Sequence, residues 1–199
     1  MSRFQPTVRP DHCPWGGIDH AEQVHSGIWR VSTPGHGGFI LSDERQAAMP
    51  ASLVLGDVTY EEDVDYALVV LAFAAEFEQA GTAGKLLVRN AHDTVRNWHP
   101  DRYASFVGRA IEAKDSHVLA MRDAYRARIG RAVVVAAFGD WADWVLPGKT
   151  GVVARTLTGV DQLARPTYAA DDLRALVDAD RYAARDKVIA LDELDAVAC

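Results

Sequence analysis

A histidine among glycines and a run of acidic residues are the groups in this sequence whose types suit chemistry. His36 is flanked by glycines in the segment GHGG, residues 35–38, and the acidic segment YEED occupies residues 60–63. An imidazole with two or three carboxylates is a ligand set for Mn, Fe or Zn, and the same groups serve acid–base catalysis. We predict His36, Glu61 and Asp63 as candidate metal ligands and catalytic residues. We also expect His36 to lie within about one side-chain length of the acidic segment.

Both features also have a structural interpretation. Glycines at this density suit a tight turn in which a histidine merely fits. Acidic residues in a first helical turn are stabilised by the helix dipole, and Thr59 followed by Glu62 fits a capping box. The same residues therefore predict the start of a central, mostly buried helix that runs from Thr59 to Gly81.

The segment NWHPDRY, residues 97–103, adds two further candidate metal ligands, His99 and Asp101. Proline and aspartate are also typical of the first turn of a helix, and His99 is then its N-cap residue. The ligand interpretation and the helix-start interpretation both stay open for this segment.

Aromatic residues supply candidates for binding a partner. Trp141 and Trp144 lie in the segment FGDWADW, residues 138–144, in a loop expected after a strand. Tryptophan is enriched at protein interfaces, although two tryptophans on a loop more commonly cover a core. Tyr60 and Asp65, within and beside the acidic segment, are the other candidate binding residues.

Composition excludes several classes of protein. The net charge of −7 and the pI of about 5.4 argue against a broad nucleic-acid-binding surface. No apolar run approaches the roughly 18–20 residues that cross a bilayer, and the first residues lack the apolar core of a signal peptide. We therefore predict a cytoplasmic protein without membrane association, in which Cys13 and Cys199 are reduced thiols.

The pattern of apolar residues predicts an α+β fold with an N-terminal antiparallel β-meander, a central helical segment and a small C-terminal β-sheet. In the meander, residues 35–38 form the second turn, with His36 at its tip. Four segments of β-type composition follow Gly130, namely RAVVVAAFGD, TGVVARTLTG, DLRALVD and KVIALDE. We expect residues 1–14 to form an irregular arm and residues 15–199 a single domain with a possible internal boundary near residue 130.

Four segments occur in an order that resembles an uncharacterised domain family of phage, plasmid and integrative-element proteins. The segments carry the motifs HGG, YEED, HPDRY and GDW, and the resemblance runs from about Trp15 to about Ala190. The chain departs from that family at two places. Val64-Asp65-Tyr66 stands where the family has Cys-Asp-Trp, and Ala74 stands where it has proline.

This resemblance implies a phage or mobile-element accessory protein that binds a host or defence-system protein, for example as an anti-defence inhibitor in the cytoplasm of the bacterial host. A metal-assisted hydrolase that acts on a nucleotide or nucleic acid, with a divalent metal ion as cofactor, is the alternative from the residues. A virion or assembly component is a further alternative. The motifs GxxxxGK[ST], GxGxxG, HExxH and GxSxG are absent from the sequence, which argues against ATP hydrolysis, Rossmann-type redox chemistry and zincin-type proteolysis.

Overall fold

The chain folds as two compact α+β units. A computed structural model describes residues 3–199, and the units comprise residues 3–116 and residues 117–199. The first contains a four-stranded sheet and most of the helices, and the second contains a five-stranded sheet. The predicted fold class, a β-meander followed by helices and a second small sheet, is confirmed.

The N-terminal sheet is antiparallel with strand order β1-β2-β3-β4. Its strands are β1 (His20–His25), β2 (Ile28–Ser32), β3 (Gly37–Leu41) and β4 (Thr59–Glu61). Cross-strand partners share a face of a sheet, so Arg30, Phe39 and Tyr60, which pair in register, project to the same side. Phe39 and Tyr60 are buried there with residues of the helices, whereas Arg30 reaches beyond this core.

The opposite face of the sheet is crossed by the N-terminal arm. Gln23 and Trp29 pair across β1 and β2, and both donate side-chain hydrogen bonds to the hydroxyl of Thr7, at 3.1 and 3.0 Å. Residues 3–14 contain no helix or extended strand. The predicted arm therefore lacks regular structure in its described part, and residues 1 and 2 of that prediction lie outside the described residues.

The expected helix from Thr59 to Gly81 is wrong at its start. Residues 59–61 are extended and pair with β3, and the helix begins only at Tyr66. The capping box is a local preference, whereas pairing with β3 places the Tyr60 side chain in the core, and burial of a large aromatic side chain outweighs a cap. The later part of the prediction is confirmed in outline, because residues 67–71 are all buried.

The remaining helices of the first unit follow local sequence signals. Ser42 caps α1 by accepting a hydrogen bond from the Arg45 amide at 3.2 Å, and α5 begins at Pro100 as expected. The helices are α1 (Asp43–Ala47), α2 (Tyr66–Ala72), α3 (Ala74–Phe77), α4 (Thr82–Trp98) and α5 (Pro100–Val107).

A buried ion pair joins four parts of this unit. The Arg45 side chain is 0% exposed and bonds both carboxylate oxygens of Glu76 at 2.6 and 2.7 Å. Its Nε–H donates to the carbonyl of Ser26 at 2.8 Å, and its guanidinium lies over the rings of Phe4 and Phe73. The hydrogen bonds from Arg45 lower the pKa of the Glu76 carboxyl, so the pair stays charged at neutral pH.

The second unit is built on an antiparallel sheet with order β5-β6-β8-β9, and β7 pairs with the far end of β6. Three segments predicted as strands form β5, β6 and β8. Helix α6 packs on this sheet through Met121, Ala124 and Tyr125. The elements are α6 (His117–Arg126), β5 (Ala132–Phe138), β6 (Lys149–Val160), β7 (Pro166–Tyr168), β8 (Leu173–Asp178), α7 (Ala179–Ala183) and β9 (Val197–Ala198).

The strand predicted for KVIALDE is wrong. Val188, Ile189 and Ala190 are buried, but this segment joins the sheet only through a single bridge between Val133 and Ala190. Residues 191–193 then form a 3₁₀ turn. A short apolar run is buried in either conformation, so its composition does not distinguish a strand from a buried loop.

Replacement of Arg45 with methionine is expected to lower the free energy of unfolding by about 3–5 kcal/mol, because it leaves the Glu76 carboxylate without its partner. Lys114→Met removes a matched but exposed ion pair with Glu112 and is expected to cost less than about 1 kcal/mol. Urea denaturation followed by circular dichroism measures the free energy of unfolding of both variants. An equal decrease in this free energy in the two variants would contradict a structural role for the buried pair.

Candidate functional site

Two glycines allow strand β3 to lie close to its neighbouring strands β2 and β4. A Cβ atom on Gly37 would lie 2.9 Å from the carbonyl oxygen of Val31 in β2. A Cβ atom on Gly38, where φ is +152°, would overlap the carbonyl oxygen of Tyr60. The Glu62 amide then donates to the Gly37 carbonyl at 3.0 Å. Glycine is therefore required here by close approach, and these two glycines belong to β3 rather than to the predicted turn.

The loop that carries His36 is held by one side chain. The Thr33 hydroxyl donates to the carbonyl of His36 at 2.9 Å and accepts from the amide of His36 at 3.1 Å. The amide of Thr33 also donates to the same carbonyl at 2.7 Å. The backbone of His36 is thus tied down, while its side chain remains 60% exposed.

His36 and the acidic segment meet at the end of the sheet, as the sequence predicts. Nδ1 of His36 lies 3.8 Å from Oε1 of Glu61. One ligand atom from each of His36, Glu61 and Glu62 lies within 4.8 Å of the other two. The other oxygen of Glu61 accepts from the amide of Asp63 at 2.8 Å, which orients that carboxylate. The three side chains form a nitrogen and carboxylate set suited to Mn, Fe or Zn.

Sequence reasoning missed Glu62 as a member of this cluster. The capping-box interpretation assigned its side chain to a helix start that does not exist. Because residues 59–61 form a strand that pairs with β3, Glu61 and Glu62 at its end both lie beside the His36 loop. Asp63, which was predicted as a ligand, is exposed and is not one of the three clustered side chains.

A pocket of about 420 Å³ opens beside the cluster on the helix-covered side of the sheet. Glu62 lines this pocket and also belongs to the cluster. Strands β1 to β3 and helices α2 and α4 supply the other walls. The lining residues are His20, Arg30, Val31, Ser32, Gly38, Phe39, Glu62, Tyr66 and Leu87.

The other predicted metal ligands lie in a separate arrangement. Nε2 of His99 lies 2.9 Å from Oδ1 of Asp65, and both side chains are mostly buried. His99 occupies the residue between α4 and α5, and Asp65 directly precedes α2, so this pair ties two helical corners together. Asp101 lies in the first turn of α5, where a negative charge is favoured by the helix dipole. None of these three side chains belongs to the His36 cluster among the described residues.

The candidate binding residue Tyr60 serves the core. Its side chain is 0% exposed, and its hydroxyl donates to Gln46 at 2.9 Å and accepts from the Leu55 amide at 3.2 Å. Burial raises the pKa of the Tyr60 hydroxyl, so it stays neutral.

The two candidate tryptophans of the second unit differ in exposure. Trp144 is half-buried, packs edge-on against Phe138 and lies beneath the Arg174 guanidinium. Trp141 is 73% exposed and touches Phe138 with one edge. Trp144 thus covers part of the unit's own surface, and Trp141 presents an aromatic surface outward.

Comparison with known proteins identifies a family and no named relative. A family model described as a domain of unknown function, DUF7007, matches residues 8–129, more than half of the chain. The match begins earlier than the resemblance noted above and ends before the GDW motif. No curated protein and no solved structure matches the chain. None of the helices within residues 3–199 combines the length and apolar character needed to cross a bilayer.

Gly38→Ala is expected to destabilise the first unit by at least about 1–3 kcal/mol, because alanine is strained at this φ and its methyl group meets the Tyr60 carbonyl. Gly35→Ala is the matched control, because the space around Gly35 is open, and it is expected to change stability by less than about 0.5 kcal/mol. Thermal unfolding of the two variants tests this. If Gly38→Ala were as stable as Gly35→Ala, β4 would not be held against β3 as described.

Proposed function

We propose that this chain, which belongs to the DUF7007 family, is a metal-dependent hydrolase that acts on phosphate esters of nucleotides. The convergence of His36, Glu61 and Glu62 at the mouth of a pocket is the observation that carries this proposal. The three residues come from a loop and a strand end that are far apart in sequence. Each of the two segments is held by its own backbone hydrogen bonds.

The ligand set suits a catalytic rather than a structural ion. Three protein ligands leave coordination positions for water and substrate, whereas structural sites are closed by four. The 60% exposure of the His36 side chain gives solvent and substrate a path to the ion. Two carboxylates balance the charge of a divalent cation, and one imidazole favours Mn, Fe or Zn over Mg or Ca.

The chemistry in this proposal is attack by water on phosphorus. A divalent cation held by His36, Glu61 and Glu62 would lower the pKa of water at the site. Asp63, an exposed carboxylate next to Glu62 in the chain, would accept the proton of that water as general base. As the oxygen of the water forms its bond to phosphorus, the bond from phosphorus to the ester oxygen would break, and the departing oxygen would take up the proton from Asp63.

Titration of Mn²⁺ into the protein by calorimetry is expected to reveal one site. His36→Ala and Glu61→Gln each remove one ligand and are expected to weaken Mn²⁺ binding by at least about tenfold. Release of nitrophenol from 4-nitrophenyl phosphate in the presence of Mn²⁺ is expected to fall in the same two variants. His12→Ala is the matched control, since His12 is also exposed but lies outside the cluster.

Two results would contradict this proposal. One is the absence of bound metal by both calorimetry and elemental analysis. The other is a phosphatase activity that survives in His36→Ala and Glu61→Gln with their folds intact by circular dichroism.

We propose, as a second candidate function, an accessory protein of a phage or other mobile element that binds a host or defence-system protein in the bacterial cytoplasm. The resemblance to phage, plasmid and integrative-element proteins supports the biological setting. The 73% exposure of Trp141 supports the binding role, because a large exposed aromatic side chain is a common anchor at protein interfaces. Asp140 and Asp143 flank it and are exposed.

A pull-down of the tagged protein from its bacterial host is expected to recover one partner in stoichiometric amount, and Trp141→Ala is expected to abolish its recovery. Trp98→Ala is the matched control, because Trp98 is a second surface tryptophan, 45% exposed, that lies in the other unit. Recovery of the same partner by Trp141→Ala and the parent protein would contradict the assigned surface.

A further inference from the structure

We infer that the pocket beside the cluster binds a single nucleotide, with its base in the pocket and its phosphate at the cluster end. This inference names the substrate of the proposed hydrolase and rests on that function. Three observations support it: the position of the pocket, the distribution of polar and apolar side chains in its walls, and the residue that the pocket shares with the cluster.

The pocket forms where the core beneath the helices ends. Arg30, Phe39 and Tyr60 project from one face of the sheet in register, and His20 faces the same side because it pairs with Ser32, two residues after Arg30. Helices cover Phe39 and Tyr60, whereas His20 on β1 and Arg30 on β2 are exposed. A volume of about 420 Å³ lies within the range that holds one small ligand.

The polar side of the pocket suits a phosphate group. Arg30 is bound to Glu22 at 2.6 Å, and both side chains are more than half exposed. Such a pair contributes about 0–1 kcal/mol, so the guanidinium readily exchanges Glu22 for a phosphate, with which it forms charge-assisted hydrogen bonds. The Ser32 hydroxyl and the His20 imidazole add further hydrogen-bonding groups to the same wall.

The apolar side of the pocket suits a nucleobase. Phe39 and Tyr66 contribute aromatic rings, and Leu87 contributes aliphatic contacts. Stacking of a base on an aromatic side chain contributes about 1–3 kcal/mol. A ligand with one flat apolar group and one anionic group therefore matches both sides of the pocket.

Two features favour a mononucleotide over a nucleic acid. Arg30 is the only arginine or lysine among the lining residues, whereas a bound polynucleotide needs basic groups along several phosphates. The net charge of −7 opposes approach of a polyanion. One guanidinium provides a paired set of hydrogen-bond donors for one phosphate group.

The shared residue aligns the pocket with the proposed chemistry. Glu62 lines the pocket and offers a ligand atom to the cluster. A phosphate at this end of the pocket would therefore lie beside a cation held by the cluster, with the base against Tyr66 and Leu87. In this orientation the ester bond between phosphorus and the nucleoside oxygen would face the cluster.

Calorimetric titration of AMP into the protein, with and without Mn²⁺, tests this inference. AMP is expected to bind at least about tenfold more tightly than adenosine, inorganic phosphate or an oligothymidylate. Arg30→Gln and Leu87→Trp are expected to weaken AMP binding by about tenfold or more and to leave Mn²⁺ binding unchanged. Arg89→Gln, an exposed arginine on α4 outside the pocket, is the matched control.

The outcomes separate this inference from the proposed hydrolase. AMP binding to a protein that takes up no Mn²⁺ would preserve the nucleotide pocket and overturn the hydrolase. Mn²⁺ binding without AMP binding, or tighter binding of the oligothymidylate, would overturn the nucleotide pocket alone. Arg30→Gln that binds AMP as tightly as Arg89→Gln would overturn the assigned phosphate position.

Discussion

The buried Arg45–Glu76 pair is the interaction on which the first unit depends. Desolvation of two charges is costly, and their attraction offsets that cost only when the remaining polar atoms also find partners. Arg45 meets this condition through Ser26 and through the rings of Phe4 and Phe73. The N-terminal arm, the β1–β2 turn, α1 and α3 are therefore held at one point, although none of them directly follows another in the sequence.

A second set of contacts holds two neighbouring carboxylates at the end of the small sheet. Glu61 ends β4, a strand of three residues, and Glu62 follows it, and repulsion between the two carboxylates would separate them in a loose loop. Gly38 has no side chain that would push β4 away from β3, and the buried Tyr60 fixes β4 from the core side. A divalent cation would relieve the remaining repulsion, which is a physical reason to expect metal binding here.

Sequence reasoning succeeded where the deciding interactions are local. The β1–β3 meander, the Ser42 cap and the Pro100 helix start each follow from alternation or from residues within four positions of one another. It failed at Thr59–Glu61, where a valid local cap signal lost to pairing with a strand about 20 residues earlier. That single error hid Glu62, because the metal-binding arrangement exists only if residues 59–61 are extended. The convergence of His36 with Glu61 was predicted from residue type alone, and no spacing rule distinguishes it from chance.

The two candidate functions use different parts of the chain. This difference determines whether the residues responsible lie inside the family domain or outside it. The family match ends at residue 129, so it contains the whole of the His36 cluster and its pocket but not Trp141. If the cluster is the working site, function resides within the family domain, and Gly38 is needed with the ligands because β4 approaches β3 closely at that residue. If Trp141 is the working group, function resides in a segment outside the family domain and varies independently of it. The glycines then have only a structural reason to persist, which is the approach of β4 to β3.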